Sequence, residues 1–215
     1  MERFQLTAQL QTPVIIGGGY LTLDALLGSI LFEKLQDVDE AHKQIPLACS
    51  DGLFHGSAAI VEPISQQSVT FIANLRAQHA LDPDLILKNR HGRIHRKLGR
   101  LRRQDFGAVL NRYTSIEAEV IYWYGEGDPA AVENLVRDVE FIGKRRASGY
   151  GQVSTWSLEN ADYNGLTGPF GEPLRPIPED LFEGDTGQIK LDAAWRPPYW
   201  HPENRAICYA PRLVT

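Results

Sequence analysis

A chain of 215 residues with 43% hydrophobic content can bury one sizeable core, and a net charge of −5 gives it no overall attraction for a polyanion. Its two cysteines, Cys49 and Cys208, stand far apart and outside any Cys/His spacing, which argues against a disulfide framework and against a zinc site. The opening Met1-Glu2-Arg3-Phe4 lacks the apolar run of a signal peptide, and no stretch reaches the about 18 apolar residues of a membrane span, so the expectation is a cytoplasmic protein with reduced thiols, no membrane association and no cofactor or metal.

Phe4, Leu6, Ala8 and Leu10 alternate with Gln5, Thr7 and Gln9, which predicts a half-buried strand ended by Pro13 and Gly17-Gly18-Gly19. Leu23, Leu26, Leu27, Ile30 and Leu31 then recur at helical spacing, predicting an amphipathic helix over 22–35 with Thr22 as N-cap. The glycine run could present free N–H groups of this helix start to a phosphate, or be only a flexible strand–helix turn. Residues 37–51 are polar and read as a loop. Residues 54–62 and 68–75 read as two strands, with 63–67 as the turn of a hairpin between them.

Residues 76–112 differ in kind. Lys88, Arg90, Arg93, Arg96, Lys97, Arg100, Arg102 and Arg103 fall in one stretch without Asp or Glu, while the remaining 14 Lys/Arg face all 27 Asp/Glu, a balance of −13. These cations cover every face of any helix, and only Leu87, Ile94, Leu98 and Leu101 offer an apolar stripe. The segment reads as a protruding arm or short helical insertion reaching toward a phosphate backbone. The alternative is a solvated surface loop, but such loops normally mix signs.

Residues 117–124 alternate again, with Ala118, Val120, Tyr122 and Tyr124 on one side, and Gly125-Glu126-Gly127 ends that strand. Asp128-Pro129 starts a helix well, the acid as N-cap and the proline at the first helical position, with Val132, Leu135, Val136 and Val139 as its buried stripe. Next comes Gly143-Lys144-Arg145-Arg146-Ala147-Ser148-Gly149-Tyr150-Gly151, then a strand over 152–158. Its glycines tolerate positive φ and close backbone approach, and successive N–H groups in such a loop can converge on an anion. Lys144, Arg145 and Arg146 add full charges suited to phosphate, and Tyr150 is either a base-stacking face or a core aromatic beneath the loop. The bland alternative is a tight connection with solvated charges. No Lys-Ser or Lys-Thr follows the glycines, so this is no Walker loop, and it runs from helix to strand, opposite to a dinucleotide fingerprint.

The element order, strand, helix, two strands, insertion, strand, helix, strand, is close to βαββαβ. The predicted class is therefore α+β with a ferredoxin-like (RRM-like) body over 1–160, a thumb-like basic insertion at 76–112 and an irregular Gly/Pro-rich extension at 161–215, packed on the body by Trp195, Tyr199 and Trp200.

The glycine-rich loop over 143–151 resembles the signature of the RAMP superfamily of CRISPR proteins. The opening, Thr12-Pro13-Val14 through Gly19-Tyr20-Leu21-Thr22-Leu23-Asp24-Ala25-Leu26-Leu27, is similar to the Cas-five-type subunit of type IV CRISPR effector complexes. The resemblance spans residues 4–158 and implies a ribonucleoprotein subunit of antiviral defence. Its body would grip the 5′ handle of the crRNA and cap the complex. Its thumb, in the place of residues 76–112, would touch RNA and the neighbouring backbone subunit, with the large subunit as a further partner and target DNA reached only indirectly. Candidate RNA-binding residues are Lys144, Arg145, Arg146, Gly149, Tyr150 and Gly151, together with the eight cations of the arm. The tail matches no pattern of the family.

Relatives in that superfamily cut guide-RNA precursors without metal, which requires an acid, a base and phosphate charge stabilisation. His91 and His95, four apart among arginines, could be such a pair. Neighbouring cations favour neutral imidazole, however, and no carboxylate lies near in sequence to orient either ring. Residues 17–27, where cutting relatives often hold a histidine, contain none. The same pair is a poor metal site amid so many positive charges. His42, His55, His79 and His201 are scattered and read as structural or solvated. The reading is a non-catalytic RNA-binding subunit; a metal-independent endoribonuclease is the alternative, and a small-molecule enzyme on a ferredoxin-like fold is a third.

Overall fold

The computed structural model describes residues 1–17, 19–73 and 109–211. The chain divides into two compact units, one of Met1–Gln67 with Thr114–Thr215 and one of Ser68–Tyr113. No helix among the described residues is long and apolar enough to cross a membrane.

The first unit is built on β1 (Glu2–Leu10), whose alternation buries Phe4, Leu6 and Ala8 completely. Along the chain β1 is followed by α1 (Leu23–Leu35), α2 (Val38–Lys43), β2 (Cys49–Ser50), β3 (Leu53–Phe54), β4 (Ile60–Val61), β5 (Ser65–Ala73), β6 (Val109–Glu117), β7 (Val120–Gly127), α3 (Pro129–Val136) and β8 (Val153–Asn160), of which β5 and β6 have most of their residues in the second unit. β4, β7, β1 and β8 lie side by side in that order, every neighbour antiparallel, with Leu6 opposite both Trp123 and Leu158. Both α1 and α3 contribute to the core beneath one face of this sheet, where Leu23, Leu27, Ile121, Trp123, Val132 and Val136 meet. The chain is thus a mixed α+β protein with antiparallel sheets.

Several expected elements hold and others move. Thr22 is the N-cap residue of α1, and Asp128 caps α3 by accepting from the Ala131 N–H at 3.1 Å, with Pro129 at the first position. The polar stretch 37–51 is not all loop. Asp37 accepts from the Glu40 N–H at 3.0 Å and starts α2, an Asp-x-x-Glu N-terminus whose helix is too short to show periodicity. The expected hairpin of 54–62 with 68–75 does not form: β4 pairs with β7, whereas β5 pairs with β6. Residues 109–112, assigned to the basic arm, belong to β6. In β7 the inward side is Ile121, Trp123 and Gly125, and Tyr122 and Tyr124 lie half-buried on the other face, ring centroids 5.7 Å apart. Alternation fixes which residues share a face but not which face turns inward. In the second unit, Phe71 and Tyr113 on β5 and β6 meet edge-on with centroids 6.0 Å apart.

The extension at 161–215 is not irregular. It forms a three-stranded antiparallel sheet of β9 (Ile177–Pro178), β10 (Lys190–Ala194) and β11 (Arg205–Tyr209), in the order β10-β11-β9. Ile177, Ala193, Trp195 and Cys208 share a small core there with Leu53 of β3. Trp195 is buried as expected, but Trp200 is 75% exposed and pins nothing.

Besides the apolar contact with Leu53, a buried polar cluster joins the sheet to the body. Arg175 and Asp24, both fully buried, pair at 3.0 Å. Arg175 also donates to the carbonyls of Phe54 (2.6 Å), Gly56 (3.1 Å) and Trp195 (2.7 Å) and to Tyr199 Oη (2.8 Å). Tyr199 in turn donates to Asp24 Oδ2 at 2.6 Å and accepts from Thr22 Oγ1 at 2.8 Å. Burial raises the Tyr199 phenol above its ordinary 10.0, so it stays protonated and keeps that donor. Removing one member strands the others in a dry interior. Asp24→Asn should destabilise the protein by about 3–5 kcal/mol, and Tyr199→Phe by about 1–3 kcal/mol, in urea denaturation. Losses below about 0.5 kcal/mol for both would mean that the cluster is solvated in solution.

Candidate functional site

The glycine-rich loop connects α3 to β8 and is seated on the segment between β1 and α1. Lys144 N–H donates to the Ile15 carbonyl (2.8 Å), Gly151 N–H to Pro13 (2.9 Å) and Ile142 N–H back to Gly151 (2.9 Å). Ser148 and Tyr150 N–H groups point to the Arg145 carbonyl, and that of Gly149 points to Arg146, closing a short 3₁₀ turn over Arg146–Ser148. The amides of 144 and 148–151 are therefore spent inside the protein. These five N–H groups are thus not part of the convergent backbone anion site expected from the sequence.

The glycines answer to different needs. A Cβ on Gly143 would lie 2.5 Å from the Ile15 carbonyl oxygen, and one on Gly151 2.0 Å from that of Ile142, so both are required by close approach. Gly149 has open space around it and is required only by its φ of +83°. Arg145 itself adopts a left-handed φ of 62°, an uncommon conformation for a side-chain-bearing residue. The Lys144 side chain lies across Gly17, where a Cβ would meet its Cε at 2.1 Å; this ties the first glycine run to the second.

Between this loop and α1 runs a groove of about 660 Å³. Its walls carry apolar side chains of Ile16, Leu21, Leu26, Ile30, Phe141 and Ile142, and charged ones of Glu33, Asp138, Glu140, Lys144 and Arg146. Arg146 reaches Glu33 on α1 at 3.3 Å, both side chains more than half exposed. Such a pair contributes at most about 1 kcal/mol and exchanges readily for another anion. Tyr20 also lines the groove and donates to the Pro211 carbonyl at 2.8 Å, so the end of the described chain is fastened beside it.

The N-terminus of α1 is no phosphate site. Thr22, Leu23 and Asp24 are buried, and the helix start is occupied by the Asp24 carboxyl and sealed by Arg175 and Tyr199. Thr22 spends its hydroxyl on Tyr199 instead of capping. His55 is a cross-link: its Nε2 lies 2.9 Å from Ser50 Oγ and its Nδ1 3.4 Å from Glu126 Oε2, joining the β2–β3 hairpin to β7. Of the expected binding residues, the structure brings Lys144 and Arg146 to the groove. Lys88, Arg90, Arg93, Arg96, Lys97, Arg100, Arg102 and Arg103, with His91 and His95, lie outside the described residues. Sequence reasoning missed Glu33 and Tyr20, which show no pattern before α1 and the loop are placed together.

Residues 88–211 match the family of CRISPR type IV associated protein Csf3. The chain belongs to this family. No curated protein matches it. As a type IV CRISPR subunit it is matched from within the basic segment, through the glycine-rich loop, to the end of the C-terminal sheet. The opening over 12–27, on which part of the sequence resemblance rested, lies before the match, whereas the tail that resembled nothing lies within it.

The loop geometry orders its glycines by cost. Gly149→Ala should lose about 1–2 kcal/mol in urea denaturation from positive φ alone. Gly151→Ala should lose clearly more, because the Ile142 carbonyl must also move. Equal losses would contradict the seating of the loop on Ile142.

Proposed function

We propose that this type IV subunit is a Cas-five-type RAMP protein that binds the 5′ handle of crRNA without cutting it, capping the backbone of the effector complex. The observation that carries this reading is the groove between α1 and the glycine-rich loop, with Lys144 and Arg146 along it. A single strand laid there would place phosphates on the cations and bases against the apolar wall, the mode in which unstacked RNA is held. Arg146 would trade Glu33 for a phosphate oxygen, a charge-assisted bond of its own kind. The sheet order β4-β7-β1-β8, with helical crossovers by α1 and α3, supports a ferredoxin-like body. The eight cations between 88 and 103 would extend the grip, and the acidic remainder of the chain would keep RNA from other faces. On this reading the partners are crRNA and the backbone and large subunits, with target DNA reached through them.

Labelled repeat RNA mixed with the full chain in EDTA tests the proposal. The RNA should bind and stay intact. Arg145→Gln and Arg146→Gln should each weaken binding and lower the slope of log affinity against log salt by about 0.7 for each phosphate that is no longer neutralised. Glu33→Gln should tighten binding up to about fivefold, since Arg146 no longer has to leave a partner. Unchanged affinity in Arg146→Gln and Glu33→Gln would remove the groove from RNA binding, and unchanged affinity in Arg145→Gln would remove that loop residue, which does not line the groove. Cleavage lost in His91→Ala or His95→Ala would instead favour the endoribonuclease.

A further inference from the structure

Phe170 is 87% exposed, more than any other large apolar side chain among the described residues except Met1. A lone exposed apolar residue needs no explanation by itself. This one is held on a fixed mount. Gly168 N–H donates to the Glu172 carbonyl (2.9 Å), Gly171 N–H to that of Gly168 (3.1 Å) and Phe170 N–H to Glu172 Oε2 (2.9 Å). Thr167 and Pro173 pair across the base of the turn. The turn is then fastened to a second loop, where Asp185 N–H donates to the Gly171 carbonyl at 2.9 Å. Close approach is built in twice. A Cβ on Gly168 would lie 2.2 Å from the Glu172 carboxyl, and one on Gly184 2.3 Å from the Gly171 carbonyl and 2.4 Å from the Phe182 ring. Phe182 in turn packs on Tyr209 of β11, ring centroids 4.6 Å apart. A large ring has thus been placed in water on a turn with little freedom left to lose, the condition under which an aromatic contact contributes most to binding.

The charge around it decides the occupant. Between residues 164 and 189 the only Lys or Arg is Arg175, which is buried, while Glu179, Asp180, Glu183 and Asp185 are all exposed. Glu179 is paired with Lys190 at the edge of this stretch. Asp185 accepts from the Gly187 N–H and from Gln188, which hold its carboxyl below the ordinary 3.8, so it remains charged at neutral pH. A phosphate backbone would be repelled here.

We propose that the 166–174 turn is a protein-docking knob: Phe170 enters an apolar pocket on another subunit of the complex, and that pocket is rimmed by Lys or Arg facing Asp180, Glu183 and Asp185. The proposal rests on the chain being a subunit of a type IV assembly and is independent of where RNA lies. The test co-expresses the full chain with the other protein subunits of its own effector complex and measures binding of the purified chain to the complex lacking it. Phe170→Ala should weaken that association about tenfold or more. The double change Glu183→Lys with Asp185→Lys should weaken it too, and its effect should shrink at high salt. Repeat-RNA affinity of the isolated chain, measured in parallel, should not change, which separates this surface from the RNA groove. Association of Phe170→Ala within twofold of the parent chain would overturn the proposal. So would loss of RNA affinity with assembly intact, which would make the ring a base-stacking face, or a lowered melting temperature, which would assign it to folding. Loss of self-association alone in sedimentation would give the knob to a second copy of this chain and equally end it.

Discussion

The Asp24–Arg175 pair is the constraint on which the body of this protein depends. A guanidinium taken wholly out of water costs several kcal/mol unless its donors are matched, and here four oxygens besides that of Asp24 accept from it. Those acceptors come from the β3 region, from the segment after β10 and from the loop carrying Tyr199. Pieces of chain up to 175 residues apart are therefore held in one geometry. A buried ion pair adds little net stability over a well-packed apolar replacement; what it adds is discrimination, because misplaced partners leave a bare charge inside. Arg175 Nε has no hydrogen-bond partner among the described atoms, the one imperfection in the arrangement.

That constraint reaches the groove. Asp24 sits in the first turn of α1, so the pair fixes where the helix begins, and Leu26, Ile30 and Glu33 follow as the wall facing the glycine-rich loop. The opposite wall is fixed from Pro13 and Ile15, whose carbonyls take the loop amides. Both walls thus hang on the one segment between β1 and α1, itself tied down where Trp123 Nε1 donates to the Leu21 carbonyl at 2.9 Å. The width of the groove is set by backbone contacts on both sides, leaving the charged side chains of Lys144 and Arg146 as its adjustable part.

The two described surfaces differ in charge: the groove mixes Lys144 and Arg146 with Glu33, Asp138 and Glu140, whereas the stretch that carries the Phe170 turn exposes acids.

Local chemistry was legible in the sequence. The alternation of β1, the leucine spacing of α1, the Asp128-Pro129 start of α3 and the strand after the glycine-rich loop each depend on neighbours a few residues away, and each is found close to its expected bounds. Pairing was not legible. Whether β5 meets β4 or β6, and whether Tyr122 or Trp123 faces inward, is decided by which strand lies alongside and which face the helices cover. The C-terminal sheet left no periodic signal because its strands are short and separated by Gly/Pro-rich turns, and Arg175 in Pro-Leu-Arg-Pro gives no sign that its partner lies in α1. The glycines of 143–151 announced a tight loop, but the tertiary structure assigned the amides of Lys144 and Gly151 to Ile15 and Pro13 and those of Ser148, Gly149 and Tyr150 to the loop itself, since a buried N–H takes the nearest carbonyl that packing brings to it.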